Sequence, residues 1–287
     1  MTGLLSALVL TAAVQAGEPI DVTRAANADT LVVVKNVKGE IRVSGWDRDE
    51  AVLSGELGAG SRDLVVEERG NQLVIEVEIP RNSRGVEETI LDLQMPRKAS
   101  LEVGSISARV DVIGLAGERL KVSSVSGDVD VEADTQLLEL GTVSGDIDFT
   151  GSAQRTKFSS VSGDIDTSGL TGEVEVTTVS GEVYLKSGVL SDARFESVSG
   201  DLELYVDLSE TASMTIESLS GDVDLHLPES LSARCEAESF SGSIKSNRGE
   251  VRSAKHGPHK SLEFVAGAGE ARIRIESFSG DLRIRSD

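Results

Sequence analysis

The stretch Val125-Ser126-Gly127-Asp128-Val129-Asp130-Val131, called the phrase below, recurs along the chain with small changes. Counted by its glycine, strong copies stand at Gly127, Gly145, Gly163, Gly181, Gly200, Gly221, Gly242 and Gly280. The first four steps are 18, 18, 18 and 19 residues, and the next two are 21 residues each. A repeat with a nearly fixed period is the sequence signature of a solenoid.

Apolar residues keep fixed places around the phrase glycine. Two places after it stand residues such as Val129 and Ile147. Two places before it stand Val125, Val143, Val161, Val179, Val198, Leu219, Phe240 and Phe278. Because alternation with a period of two indicates a strand with one buried face, we expect both sets to face inward. A second apolar pair, such as Leu120 and Val122, precedes each phrase by three positions, so the chain must turn a corner near Ser123-Ser124.

Identical residues at identical places favour parallel stacking of the copies. Antiparallel hairpins would need no such identity, whereas in a parallel stack each valine lies on a valine, at a spacing of about 4.8 Å. The sequence therefore predicts an all-β, single-domain parallel β-solenoid, resembling a β-helix, with coils of about 18–21 residues. No coil can bury its apolar face alone, so stability must come from stacked neighbours.

The two ends of the repeat are less regular. Residues 17–95 are predicted to form a β cap that begins the solenoid, with a hairpin turn at Arg69-Gly70-Asn71-Gln72, and residues 96–287 to form the repeat. The 38 residues between Gly242 and Gly280 leave room for one hidden copy, for which Gly269 is the candidate. Arg283 and Arg285 replace outward acids in the last phrase, and we expect them to protect an exposed edge strand.

The first residues are typical of an export signal. Residues 4–14 form an apolar run, and Val14-Gln15-Ala16 offers small residues where a signal peptidase cleaves, which predicts a signal peptide over residues 1–16. No other stretch is apolar enough to span a bilayer, so no transmembrane segment is expected in the mature chain. We expect an exported protein that is periplasmic, associated with the cell envelope or secreted.

Composition limits the partners. A formal net charge of -21 argues against nucleic acid as a partner, and aromatic residues make up only 3% of the chain. Cys235 is the only cysteine, so there can be no internal disulfide, and its place in the repeat predicts a buried thiol. No cofactor is expected from any motif.

Acidic residues stand one and three places after the phrase glycine, on the outward face. The most regular of them are Asp128, Asp130, Asp146, Asp148, Asp164 and Asp166. The first interpretation is a solvated acidic face that keeps a repetitive β surface soluble. The alternative is a metal site in which Ca²⁺ bridges neighbouring coils, although the glycine-rich nonapeptide of calcium-binding β-rolls is not met.

The serine before each phrase glycine, as at Ser126, Ser144 and Ser162, is a nucleophile only if a base lies within reach. None of the three histidines recurs with it. We therefore interpret the serine row as a set of hydrogen-bonding groups at the turn, and we predict that the protein is not an enzyme.

Function is expected where the phrase is interrupted. Tyr184 takes an outward place that carries an acid in other copies. Residues 247–261 form a basic stretch in an acidic protein, and its Arg252, Lys255 and Lys260 are candidates for contact with a partner or with the acidic face of another copy. Self-association is thus one of the interactions left open.

The phrase and its period resemble the bacterial putative-adhesin family of exported β-strand-repeat domains of unknown function, from about Asp29 to the C-terminus. The resemblance implies an all-β solenoid at the cell envelope and supplies no catalytic residue. We therefore predict a non-enzymatic envelope protein with an adhesin-like or scaffold role and an unidentified envelope or surface partner. Two alternatives are a Ca²⁺-dependent acidic solenoid and a β-helix enzyme acting on envelope polysaccharide.

Overall fold

The structure, a computed structural model, describes residues 19–80 and 85–286. Every regular element within these ranges is a β-strand, and they contain no helical segment able to span a bilayer. The predicted signal peptide, residues 1–16, lies outside the described residues. The chain divides into two compact units, of which the first ends at Ser124 and the second begins at Val125. The predicted division into a cap (17–95) and a repeat (96–287) stays a prediction.

The first unit is built around its second strand. Its strands are β1 (Pro19–Ala25), β2 (Leu31–Trp46), β3 (Glu50–Glu56), β4 (Asp63–Arg69), β5 (Gln72–Glu78), β6 (Thr89–Pro96), β7 (Ser100–Leu115) and β8 (Arg119–Ser123). Strands β5 and β6 pair in parallel with the two halves of β2, and β7 pairs in parallel with most of its length. Strands β4 and β5 are antiparallel with Arg69 opposite Gln72, so the predicted hairpin turn is confirmed.

The second unit contains the strong copies of the phrase. Its strands are β9 (Val129–Gly141), β10 (Ile147–Ser160), β11 (Ile165–Ser168), β12 (Gly172–Thr178), β13 (Val183–Ser197), β14 (Leu202–Ser218), β15 (Val223–Leu227), β16 (Ala233–Ser239), β17 (Ile244–Ser246), β18 (Glu250–Ser253), β19 (Lys260–Ala266), β20 (Ala271–Ser277) and β21 (Leu282–Ser286). Equivalent residues pair in parallel, with Ile147 opposite both Val129 and Ile165. The predicted all-β parallel solenoid is confirmed.

The core of the second unit consists of the apolar places on either side of each corner. Val129 and Ile147 after the glycine, and Leu138 and Leu140 before it, are at most 1% exposed. β-branched and aliphatic side chains fill this pleated inner surface, as strand propensity favours. Each coil buries these side chains against the coils above and below, which is why the same residue types recur.

The apolar residue two places before the glycine is exposed, and the expectation that it faces inward was wrong. These side chains are between 41% and 53% exposed in the eight copies of the second unit. The reason is that Val125 to Gly127 form a bend and the strand begins only at Val129. The corner therefore lies within the phrase, and the period of two does not continue across it.

A serine or threonine three places before the glycine holds this corner together. In one coil the Ser160 hydroxyl accepts a hydrogen bond from the backbone N–H of Gly163 at 2.9 Å and donates to its carbonyl at 2.6 Å. The buried Thr178 makes the same pair of bonds with Gly181. The serine directly before the glycine has a different role, since Ser180 donates to the Val161 carbonyl of the preceding coil.

The phrase glycines stack directly on one another. A Cβ added to Gly163 would lie 1.8 Å from the carbonyl oxygen of Gly145, and one added to Gly280 would lie 1.9 Å from that of Gly221. These glycines are therefore required by the close approach of backbones.

The last coil is inserted between two earlier ones. Strand β20 pairs in parallel with β14 on one side and with β16 on the other, and β21 lies between β15 and β17. The expectation of an exposed edge at Arg283 and Arg285 was therefore wrong. Their side chains form ion pairs within the stack, with Asp222 at 3.6 Å and with Asp224 at 3.1 Å. Opposite charges on adjacent coils favour this order.

The segment between β17 and β20 forms a hairpin instead of a hidden coil. Strand β19 pairs antiparallel with both β16 and β18, so it covers the edge that β16 would otherwise present. Gly269 has a φ of +74° in the turn between β19 and β20, so the proposal that it is a phrase glycine was wrong. The outermost strand, β18, is short and carries Glu250 and Arg252, which discourages pairing with other chains.

Candidate binding groove

The exposed residues of the corners form a continuous row on the second unit. In stacking order the apolar row consists of Val125, Val143, Val161, Val179, Val198, Leu219, Phe278 and Phe240. Each coil contributes one side chain, at the strand spacing of about 4.8 Å. Phe278 and Phe240 stack with ring centroids 5.0 Å apart and planes 8° from parallel. A contiguous exposed apolar surface of this kind marks an interaction site more often than scattered apolar residues do.

A groove follows the part of this row that contains its largest side chains, Leu219, Phe278 and Phe240. It has a volume of about 590 Å³, within the range of ligand sites, and extends from Val179 to Phe240. One side is an acid wall formed by Glu196, Glu217, Glu276 and Glu238. Each of these residues is the last outward side chain of its strand, immediately before the buried hydroxyl of the corner. The strand end thus places a carboxylate on one side of the corner and the apolar row on the other.

Arginines neutralise part of the acid wall. Arg194 lies 2.5 Å from a Glu196 carboxylate oxygen and 3.2 Å from one of Glu217, and Arg274 lies 2.7 Å from Glu276. Glu238 lies 3.7 Å from the His259 imidazole and keeps 63% of its side chain exposed. Two arginines face four glutamates, so the wall keeps a net negative charge.

The acids directly after the phrase glycine bind the backbone of the next coil. The Asp146 carboxylate accepts a hydrogen bond from the backbone N–H of Asp164 at 2.9 Å, and that of Asp164 accepts from Glu182 at 2.8 Å. The same bond from the N–H of Ser243 lowers the pKa of Asp281. These carboxylates therefore stabilise the stack, a contribution that adds to the solvated acidic face that the sequence predicts.

The acids three places after the glycine repel one another. Asp148 and Asp166 are directly paired neighbours on β10 and β11. Partial burial, with a smaller contribution from the charge of Asp148, raises the pKa of Asp166. Within residues 19–80 and 85–286, no group of three or more His, Cys, Asp or Glu side chains is placed to hold a metal ion. The Ca²⁺ alternative stays a prediction.

Replacing Asp166 by asparagine should raise the melting temperature at pH 7. A carboxyl whose pKa is raised by folding costs stability when it is ionised, and this cost disappears as the pH falls below the ordinary aspartate value of about 3.9. The gain should therefore vanish in thermal melts at acidic pH. Glu210→Gln, which removes an exposed carboxylate, is the control. A variant that is equally more stable at both pH values would contradict this assignment.

The sequence-predicted interaction residues lie outside the groove. Tyr184 is 38% exposed, with its ring centroid 5.7 Å from that of Tyr205, which in turn stacks on His226. The other three candidates belong to the β18–β19 hairpin, with Arg252 on β18, Lys255 in the connecting loop and Lys260 on β19. These residues stay candidates for contact with a partner.

The acid wall was missed at the sequence level, although a signal was present. Four copies carry Glu-Ser before the apolar residue, as in Glu196-Ser197-Val198-Ser199-Gly200, and all four line the groove together with the Val179 copy. His259 belongs to the basic stretch 247–261, and the hairpin brings it to the groove.

Cys235 is fully buried and unpaired, as predicted. Burial raises the pKa of its thiol to about 12, so the reactive thiolate is scarce at neutral pH.

The in-register coils define an all-β repeat protein of the solenoid class that leaves an apolar row open on its surface. Residues 20–285 match the model of the Toastrack DUF4097 family, and the chain belongs to this family. The resemblance found in the phrase is thereby confirmed. No curated protein matches the chain.

Solved structures with low sequence identity also match most of the chain. A putative cell adhesion protein from Clostridium sporogenes is 14% identical, with 94% of this chain and 100% of that chain covered and a TM-score of 0.23. A putative lipid binding protein from Parabacteroides distasonis is 12% identical, with 93% of this chain and 97% of that chain covered and a TM-score of 0.44. A putative adhesin from the same organism is 13% identical, with 93% of this chain and 98% of that chain covered and a TM-score of 0.41.

Proposed function

We propose that this chain is a non-enzymatic, adhesin-like protein of the cell envelope that holds a protein partner in the groove between the apolar row and the acid wall. The observation that carries the proposal is the apolar row itself, whose side chains are about half exposed while the equivalent inward places are almost fully buried. The stack buries about half of each of these side chains, and the exposed half adds nothing to its stability, so its use lies in contact with something else.

The apolar row supports weak binding at a single site. Full burial of a large apolar side chain contributes about 1.5–3 kcal/mol, so covering the exposed half of each contributes roughly 1 kcal/mol. Five groove residues then give roughly 5 kcal/mol, which is close to the lower estimates of the cost of association, about 4 kcal/mol. A weak single contact of this kind suits adhesion, in which many copies act together and avidity replaces affinity.

The charge of the protein selects the partner. A net charge of -21 repels anionic polymers and other copies of the same chain, and the acid wall places part of that charge beside the apolar row. A partner with cationic groups next to apolar ones is attracted on approach and complementary on contact. Self-association through the groove is therefore a less favourable use of it.

The proposed location follows from the N-terminus. The apolar run and cleavage pattern within residues 1–16 would direct the chain to export, and the mature protein would act in the periplasm, at the envelope or outside the cell. A fold whose single cysteine is buried needs no disulfide to persist in such an oxidising compartment.

The test compares two double variants in an adhesion assay. Val198→Ser with Leu219→Ser removes apolar contacts from the groove, and Ile113→Ser with Val265→Ser removes equally exposed side chains from outside it. Beads coated with each protein are mixed with envelope fractions from the cells that produce it, with and without protease treatment. The two substitutions should remove roughly 2 kcal/mol of binding free energy, which weakens adhesion of the groove variant about tenfold to thirtyfold per site.

The control variant should adhere like the unchanged protein, and protease treatment of the envelope should abolish the difference between the two variants. Thermal melts show whether both variants stay folded, which is expected because about half of each of the four side chains is exposed. Equal adhesion of both variants, or adhesion that survives protease treatment, would overturn the proposal.

A further inference from the structure

We infer that the groove binds an amphipathic α-helix of the partner, with cationic side chains along one edge of the apolar face. This inference rests on the proposed function and adds the conformation and charge of the bound segment. It is drawn from the spacing of the apolar row, the change in side-chain size along it and the position of the acid wall.

The spacing of the row distinguishes a helix from an extended strand. The five groove residues span four coil steps, or about 19 Å at about 4.8 Å per step. Successive turns on the apolar face of a helix are about 5.4 Å apart. After four turns the helix is therefore out of register with the row by about 2.4 Å, which is half of one coil step. In an extended strand, the side chains on one face are about 6.7 Å apart. After four such intervals the strand is out of register with the row by about 7.6 Å, which is more than one full coil step. A helix lying along the row therefore keeps contact with each coil, and a strand does not.

The side chains give the groove a direction. From one end to the other they grow from Val179 and Val198 through Leu219 to the stacked rings of Phe278 and Phe240. A helix whose apolar side chains differ in size between its two ends would therefore fit along the row in only one direction. This arrangement resembles helix-in-groove recognition, in which side chains at i, i+3, i+4 and i+7 act as anchors.

The acid wall sets the charge of the helix. Its glutamates lie along one side of the row, so a helix in the groove presents one edge of its apolar face to them. Lysine or arginine on that edge would meet Glu238, whose only ion-pair partner among the described residues is His259. His259 also lies at the Phe240 end, where the hairpin borders the groove. The bound helix is therefore about four turns long, with its cationic side chains on the edge that faces the glutamates.

The test uses synthetic peptides of about 16 residues with blocked ends. The first has leucines at i, i+3, i+4 and i+7 spacing with lysines along one edge, and the second has the same composition with leucines at every second position. The third and fourth keep the helical pattern but carry glutamate or glutamine in place of lysine. Binding to the full mature protein is measured by fluorescence anisotropy at low and at physiological salt.

The lysine helix should bind at least tenfold more tightly than the period-two peptide and than the glutamate helix. The Val198→Ser and Leu219→Ser double variant should lose at least tenfold in affinity for it. Glu238→Gln should weaken the lysine helix severalfold and leave the glutamine helix unchanged, a difference that a general loss of folding would not produce. A period-two peptide that binds as tightly, or a lysine helix that binds the groove variant equally well, would overturn the inference.

The two proposals can fail separately. If adhesion to envelope fractions depends on the groove while the lysine helix does not outperform the period-two peptide, the function stands and the helical partner is refuted. If adhesion is independent of the groove, the proposed function fails, whatever the peptides do.

Discussion

Replacing Gly163 by alanine is expected to lower the melting temperature of the second unit by roughly 8–16 °C. The added Cβ would lie 1.8 Å from the carbonyl oxygen of Gly145, a distance that no side-chain rotation can relieve, because both atoms are fixed to stacked backbones. The coils must separate locally, and the hydrogen bonds on both sides of the corner weaken. A loss of about 4 kcal/mol, the usual upper range for a single substitution, corresponds to this shift in a unit of this size.

Gly104→Ala is the matched control. The same atom added there meets only the Lys35 side chain, at 3.9 Å, which is an ordinary contact. Alanine has the higher backbone preference in a strand, so this variant should keep or slightly raise the melting temperature. Differential scanning calorimetry of both variants measures the contrast. A Gly163→Ala protein that melts within 2 °C of the unchanged one would show that the coils do not stack glycine on glycine.

Replacing Ile275 by aspartate should open three strands at once. Ile275 is fully buried in the middle of β20, and an unpaired buried carboxylate is among the costliest single changes. Because β20 lies between β14 and β16, we expect the backbone amides of 213–218 and 234–239 to lose protection from hydrogen exchange together with those of β20. Mass spectrometry of peptic fragments measures the three segments separately.

The control for this prediction is Arg272→Ser, an outward change on the same strand, which should leave the exchange pattern unchanged. Loss of protection in β20 and β16 alone, with 213–218 still protected, would indicate that β14 pairs with a strand other than β20. Such a result would restore the sequential coil order that the phrase suggests.

The strands and their stacking could be predicted because each inward residue type recurs at the same place. The corner could not be placed correctly, since the apolar residue two before the glycine continues the period of two by coincidence. Val161 and Ile165 look alike in the sequence, yet one lies in a bend and the other in a strand. The informative residue was Ser160, three before the glycine, because a buried hydroxyl among apolar neighbours needs backbone partners.

The insertion of the last coil could not be predicted from apolar residues. Every coil offers a similar inner face, so any coil can stack on any other as far as burial is concerned. The outward charges held the information, because Arg283 and Arg285 match Asp222 and Asp224 of the coil that precedes them in space. The acid wall also depends on outward residues, since its glutamates recur only in the later copies, those with Val198, Leu219, Phe240 and Phe278.

The central claim is that the apolar residue of the phrase lies on the surface, where it is available to a partner. Labelling of a Leu219→Cys variant with a maleimide in native buffer tests it most directly, because the only other thiol, Cys235, is fully buried with a raised pKa. We predict one rapid label per chain in the variant and none in the unchanged protein, as measured by intact mass. A folded variant that takes up no label until denaturant is added would contradict the claim and place the apolar row in the core.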